Sequence, residues 1–152
     1  MTKLRSFEES LPMALLNARE ATMELFRPSL ARHDLTEQQW RVLRSLGSHD
    51  QPVDAGTIVE ATSLQAPSLS RILANLSERE LINRESASDD QRRAVISLAP
   101  AGAALVKTVA PESEATYAEI ERLFGSDRLK SLFAELSDLA ETLHESQENG
   151  RN

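Results

Sequence analysis

The sequence predicts a mainly α fold with a small β-hairpin (α+β), and three observations predict it. Apolar residues recur at spacings of three and four along six stretches, the period of helices with one buried face. Two short extended candidates, Leu81 to Glu85 and Ala94 to Leu98, bracket a polar, Asp-rich turn and read as a hairpin. A chain of 152 residues with no cysteine must be held by an apolar core, and that length buries roughly two thirds of the unfolded surface.

Each element has its own signal. From Leu11 to about Arg32, Leu15, Leu16, Met23, Phe26 and Leu30 predict a long first helix, with Pro28 bending its last turn. Thr36 and Gln39 have capping-box spacing and open a second helix through Trp40, Val42, Leu43 and Leu46, which Gly47 stops. Pro52-Val53 allows a short strand at most, and Asp54 caps a short third helix to about Thr62 with Ile58 and Val59 inward. Pro67 suits the first turn of a fourth helix, from about Ala66 to Glu80. After the hairpin, Pro100 starts a fifth helix, with Pro111 expected as a kink or break before Tyr117, Ile120, Leu123 and Phe124. A sixth helix after Gly125 carries Leu129, Leu132, Phe133, Leu136, Leu139, Ala140 and Leu143, and the polar end from Glu145 is expected to fray.

Composition narrows the function. No apolar run approaches the roughly 20 residues of a membrane span, and the charged first ten residues do not read as a signal peptide, so the expectation is a cytoplasmic protein. His33, His49 and His144 stand far apart, which predicts no metal site, and the five scattered glycines build no phosphate loop. No carboxylate pair accompanies a nucleophile, so no enzyme is expected. The net charge of −7 is concentrated in the last third: residues 112–152 hold four basic and ten acidic side chains, against six and seven in 51–111. A field screened over about 8–10 Å leaves a distant basic patch free to meet phosphates.

The fourth helix points to a task. Its stripe of Leu69, Ile72, Leu73 and Leu76 faces inward, while Pro67, Ser68, Arg71, Ala74, Asn75 and Glu78 lie outside. Small residues, hydroxyls, an amide and one Arg permit close approach to a groove and hydrogen bonds to base edges; the plainer alternative is a solvated Ser-rich surface. Helix, turn, helix, hairpin is the order of a winged helix-turn-helix, which sets the fourth helix in the major groove. Arg92 and Arg93 at the hairpin tip then suit a narrow minor groove, with Asp90 orienting Arg92; the alternative is an exposed ion pair worth under about 1 kcal/mol. The apolar seam of the sixth helix suits either an interface between two copies or packing within one chain.

These residues resemble the MarR family of bacterial transcription regulators. Asp90-Gln91-Arg92-Arg93-Ala94-Val95 is similar to the family's wing signature, and the order of six helices matches across about residues 10–145. Leu15 to Ala21, Phe26-Arg27-Pro28 and Leu35 to Arg41 most resemble the branch that regulates homoprotocatechuate degradation operons. The resemblance implies a single MarR-type domain over residues 1–152, with 36–98 as the winged helix-turn-helix part and 10–32 and 100–145 as dimerisation helices. It implies a homodimer on double-stranded operator DNA, usually a repressor, with Pro67, Ser68, Ser70, Arg71, Asn75, Asp90, Arg92 and Arg93 as contacts. Ala99 stands where the family often has Thr, leaving Pro100 to set the start of the fifth helix.

The resemblance also implies a small aromatic carboxylate effector, such as a hydroxyphenylacetate, and no cofactor. Trp40 offers a flat apolar wall and Arg41 a cation; Arg19 near Met23, and Arg44, are further candidate cations, and His33 a partner for a phenolic hydroxyl. Trp40 as a plain core residue and the arginines as surface pairs remain the alternative. Two other functions stay open: a winged helix that binds protein rather than DNA, and a regulator of another aromatic-acid pathway, indoleacetate or cinnamate-like.

Overall fold

A computed structural model describes residues 2–86 and 93–151 of the chain. They form two compact units, one through Ser113 and one from Glu114 onward.

The first unit begins with a short 3₁₀ turn (Phe7–Glu9) and α1 (Leu11–Arg32). Then come α2 (Glu37–Gly47), β1 (Val53–Asp54), α3 (Ala55–Thr62), α4 (Ala66–Glu78), β2 (Ile82–Ser86), β3 (Ala94–Leu98) and the start of α5 (Pro100–Phe124). The strands form an antiparallel sheet in the order β1-β3-β2, with Val53 opposite Ile96 and Ile82 opposite Leu98. Val42 and Leu43 of α2, Ile58 of α3, Leu69, Leu73 and Leu76 of α4, Ile96 of β3 and Val109 of α5 are its fully buried side chains. At roughly 1.5–3 kcal/mol for each large apolar side chain, this cluster seats α4 and orients its outer face.

Local chemistry sets the element ends. Thr36 accepts from the Gln39 amide at 3.1 Å while the Gln39 side chain accepts from the Thr36 amide at 3.0 Å, the capping box expected of α2. Asp54 caps α3 through the Thr57 amide at 2.8 Å. α1 and α4 both stop without glycine, at Asp34 and Glu80 in left-handed conformation. In each case a carbonyl five residues back receives the next amide, Leu35 to Leu30 and Leu81 to Leu76. Those two leucines are buried, and their burial offsets a left-handed strain of about 1–2 kcal/mol.

α5 starts at Pro100, as the sequence requires, under tight packing: a Cβ at Gly102 would collide with the Leu81 carbonyl oxygen. It runs unbroken past Pro111, so the break expected there does not form. The proline ring removes one helical hydrogen bond, and the long helical runs on both sides tolerate that loss. In the second unit, Gly125, with φ at +101°, separates α5 from α6 (Ser126–Asn149). The polar end expected to fray from Glu145 is helical to Asn149. α6 has no buried residue; Leu132, Phe133, Leu136 and Leu143 are exposed. Leu11, Leu15 and Leu16 of α1 are exposed as well, and the burial of that helix is confined to Phe26, Ser29 and Leu30.

Candidate functional site

The outer face of α4 is built as its sequence pattern predicts except at Ile72, expected inward, which is half-buried and lines the cleft beside Ser68, Arg71 and Asn75. Pro67, Ser70, Arg71 and Asn75 are exposed and Ser68 is half-buried, while Leu69, Leu73 and Leu76 turn into the core. Arg71 makes no hydrogen bond or ion pair with a described residue, which leaves its five donors for an external partner. Ser68, Arg71 and Asn75 share a cleft of about 380 Å³ with Thr36, Gln38 and Gln39, the first turn of α2. That turn was read from sequence only as a cap. Its place beside the outer face of α4 arises from the α2–α4 packing, and Gln39 donates to the Asn75 side-chain oxygen at 2.9 Å.

Of the wing residues, Arg93 is exposed immediately before β3. Its charge also reaches Asp54, whose carboxyl is held below its ordinary value first by the Thr57 amide and hydroxyl and then, to a lesser degree, by Arg93. Asp90 and Arg92 lie outside the described residues.

The effector candidates divide into two groups. Arg19 and Arg41 converge on one carboxylate, Glu37. Arg19 bonds Glu37 directly and Glu20 at 3.1 Å, and Arg41 lies 3.7 Å from Glu37 while donating to the Thr62 carbonyl at 3.0 Å. Arg27 joins them, 3.2 Å from Glu37 and 2.8 Å from Glu20. With its side chain only 11% exposed, Glu37 is pushed up by burial, but the bonds and charges of Arg19 and Arg27 bring it net below its ordinary value. Arg19, Arg27, Leu35, Thr36 and Glu37 line an open cleft of about 530 Å³. Sequence reasoning missed Glu37 and Arg27. An acidic residue in the first turn of α2 was visible but reads as an ordinary answer to the helix dipole.

The second group sits elsewhere. Trp40 is 8% exposed and belongs to the core; on a helix, neighbours point about 100° apart, so it does not share the direction of Arg41. Met23 is half-buried on α1, and Arg44 is exposed in the last turn of α2. His33 lies at the end of α1 with its Nε2 3.0 Å from Glu112 of α5. Ser29 and Arg32 bond the same carboxylate. Hydrogen bonds from Ser29, then His33, then Arg32 hold Glu112 at about 2.

The model of the MarR family matches residues 33–93, from the end of α1 to the foot of β3. Over 124 residues the chain is 38% identical to the homoprotocatechuate degradative operon repressor of Escherichia coli, covering 82% of this chain and 83% of that protein. The chain belongs to the MarR family. A second relative, the HTH-type transcriptional regulator FarR of Neisseria gonorrhoeae, is 34% identical over 143 residues, 92% of this chain and 97% of FarR. The crystal structure of NadR in complex with 4-hydroxyphenylacetate superposes with a TM-score of 0.75 at 32% identity, covering 91% of this chain and 98% of NadR. Family membership makes the chain a winged-helix transcription regulator and not an enzyme. None of its described helices is long and apolar enough to cross a membrane.

Proposed function

We propose that this MarR-family regulator is a cytoplasmic repressor of an aromatic-compound catabolic operon. It binds double-stranded operator DNA as a homodimer and releases it when a small aromatic carboxylic acid binds. The observation that carries the DNA half is α4, whose Leu69, Leu73 and Leu76 are buried while Pro67, Ser70, Arg71 and Asn75 are exposed and Ser68 half-buried, with the Arg71 donors available. In the dimer two such helices, about 34–36 Å apart, enter successive major grooves. The hairpin lies along the flanking minor groove, where Arg92 and Arg93, with Asp90 as orienting partner, read its width. Residues 36–98 are the reading part within one MarR-type domain spanning 1–152, and helices within 10–32 and 100–145 hold the two copies together. The exposed leucines of α1 and α6, with Phe133, support that role, because a second copy removes them from water.

The effector half is supported by the names of the relatives, a homoprotocatechuate operon repressor and a NadR bound to 4-hydroxyphenylacetate, and by the arginines around Glu37. An effector carboxylate competes with Glu37 for Arg19 and Arg41, and Leu30 and Leu35, which line the same cleft as Arg19, supply apolar surface. Because Glu37 begins α2, loosening it biases the body that seats α4, and operator affinity falls by linkage. The test is fluorescence anisotropy on labelled duplex from upstream of the protein's own gene, with and without 4-hydroxyphenylacetate, 3,4-dihydroxyphenylacetate and indole-3-acetate. Saturable binding that one of these acids weakens supports the proposal. Absence of DNA binding overturns the first half, and indifference to all three acids overturns the second.

A further inference from the structure

We infer that Gln39, a residue of the helix cap and not of the reading face, sets which end of the Asn75 amide is offered to DNA, and so which base Asn75 selects. The inference rests on the proposal that α4 reads the major groove. The Thr36 N–H can only donate, so the Gln39 side-chain atom 3.0 Å from it is the oxygen. That fixes the Gln39 amide in one orientation and leaves its NH₂ group as the atom 2.9 Å from Asn75. A donor there selects the Asn75 oxygen as its partner, which turns the Asn75 NH₂ group away from α2. No described residue takes up that nitrogen, and Asn75 is exposed in the cleft that Ser68 and Arg71 share.

The polarity of the cap is thus relayed through two amides to the reading face. An unconstrained Asn pairs bidentately with adenine, donating to N7 and accepting from N6. Here the oxygen is engaged by α2, and the outward NH₂ suits an edge of acceptors: N7 and O6 of guanine, or O4 of thymine. Replacing Gln39 by Glu keeps an acceptor for the Thr36 N–H and preserves a standard capping box. It removes the donor, however. The Asn75 NH₂ group then turns toward the carboxylate, and its oxygen faces the groove, where it suits the donor edges of cytosine N4 or adenine N6.

To test this, the full-length protein selects duplexes from a library with a randomised core, and the selected site and each of its single-base-pair variants are titrated by anisotropy. Asn75→Ala should lose discrimination at one base pair per half-site, by about 5- to 100-fold. Gln39→Ala should weaken the preference at that same pair, and should add nothing in an Asn75→Ala background. Gln39→Glu should shift the preference there from an acceptor-bearing to a donor-bearing base, with the other positions and the thermal midpoint unchanged. If the wild type selects no sequence, the DNA-reading proposal itself fails and the inference falls with it. If it selects a site but Gln39→Glu keeps the wild-type base at every position, the inference alone is overturned. A loss spread evenly over all positions also overturns it, because that is the signature of a merely structural cap.

Discussion

α4 and α6 carry the same kind of apolar stripe and have opposite fates. Leu69, Leu73 and Leu76 of α4 are at most 2% exposed, whereas Phe133 of α6 is 57% exposed and Leu143 50%. The periodic pattern that announces both helices reports that a stripe exists and is silent about what covers it. On α4 the chain itself supplies the cover, and the polar face is what remains for a partner. On α6 the described chain supplies none, and the apolar face is what remains. One helix shows a polar face to solvent and the other an apolar one.

The covered stripe of α4 depends most on Leu73. Truncating Leu73→Ala leaves a cavity in the body that seats α4 and should lower unfolding stability by about 2–5 kcal/mol, read by denaturant titration. Phe133→Asp with Leu136→Asp should leave that body intact and instead halve the mass seen by sedimentation, costing operator affinity roughly 100-fold through lost bivalency. A variant pair that stays dimeric would show that α6 is covered by something other than a second copy. Arg71→Ala sharpens the contrast from the other face of α4: stability should be unchanged within about 0.5 kcal/mol, and operator affinity should fall by about 1–3 kcal/mol in anisotropy.

The smallest effect belongs to Glu112, at the edge of the seated unit. Its ordinary value of 4.5 is lowered to about 2 by Ser29, His33 and Arg32 in the folded protein. A carboxyl depressed by folding contributes stability above about 4.5 and loses it as pH falls toward about 2. The thermal midpoint of the wild type should therefore fall more steeply over that window than that of Glu112→Gln. Parallel curves would show that the bonds from α1 to α5 add no pH-dependent stability. Because the group is a third exposed, the difference is modest.

Much of the fold was legible in the chain. Thr36 and Gln39, Asp54 and Pro100 marked helix starts by local hydrogen bonding or fixed φ, and local signals survive folding unchanged. The stops at Asp34 and Glu80 were not marked, because no glycine announces them and they depend on where Leu35 and Leu81 are buried. The same division runs through the candidate site. The outer face of α4 was visible as a departure from the usual Lys and Glu surface. The grouping of Arg19 and Arg27 of α1 on Glu37 was invisible, since α1 and α2 meet there only after folding, whereas Arg41 stands four residues after Glu37 on α2, a pairing its spacing allows. Trp40 beside Arg41 in sequence implied a joint wall and cation, and the helical turn separates them.

By itself, the sequence determined what one or two turns of chain can decide: six helices, the caps of α2 and α3, the hairpin, and the residue types on each face. Only the tertiary structure decided which stripes are covered, which arginines share a carboxylate, and that the cap of α2 touches Asn75 of α4. Those are distances between segments far apart in the chain. Periodicity constrains a residue's direction on its own helix, and only packing against other elements sets what it meets.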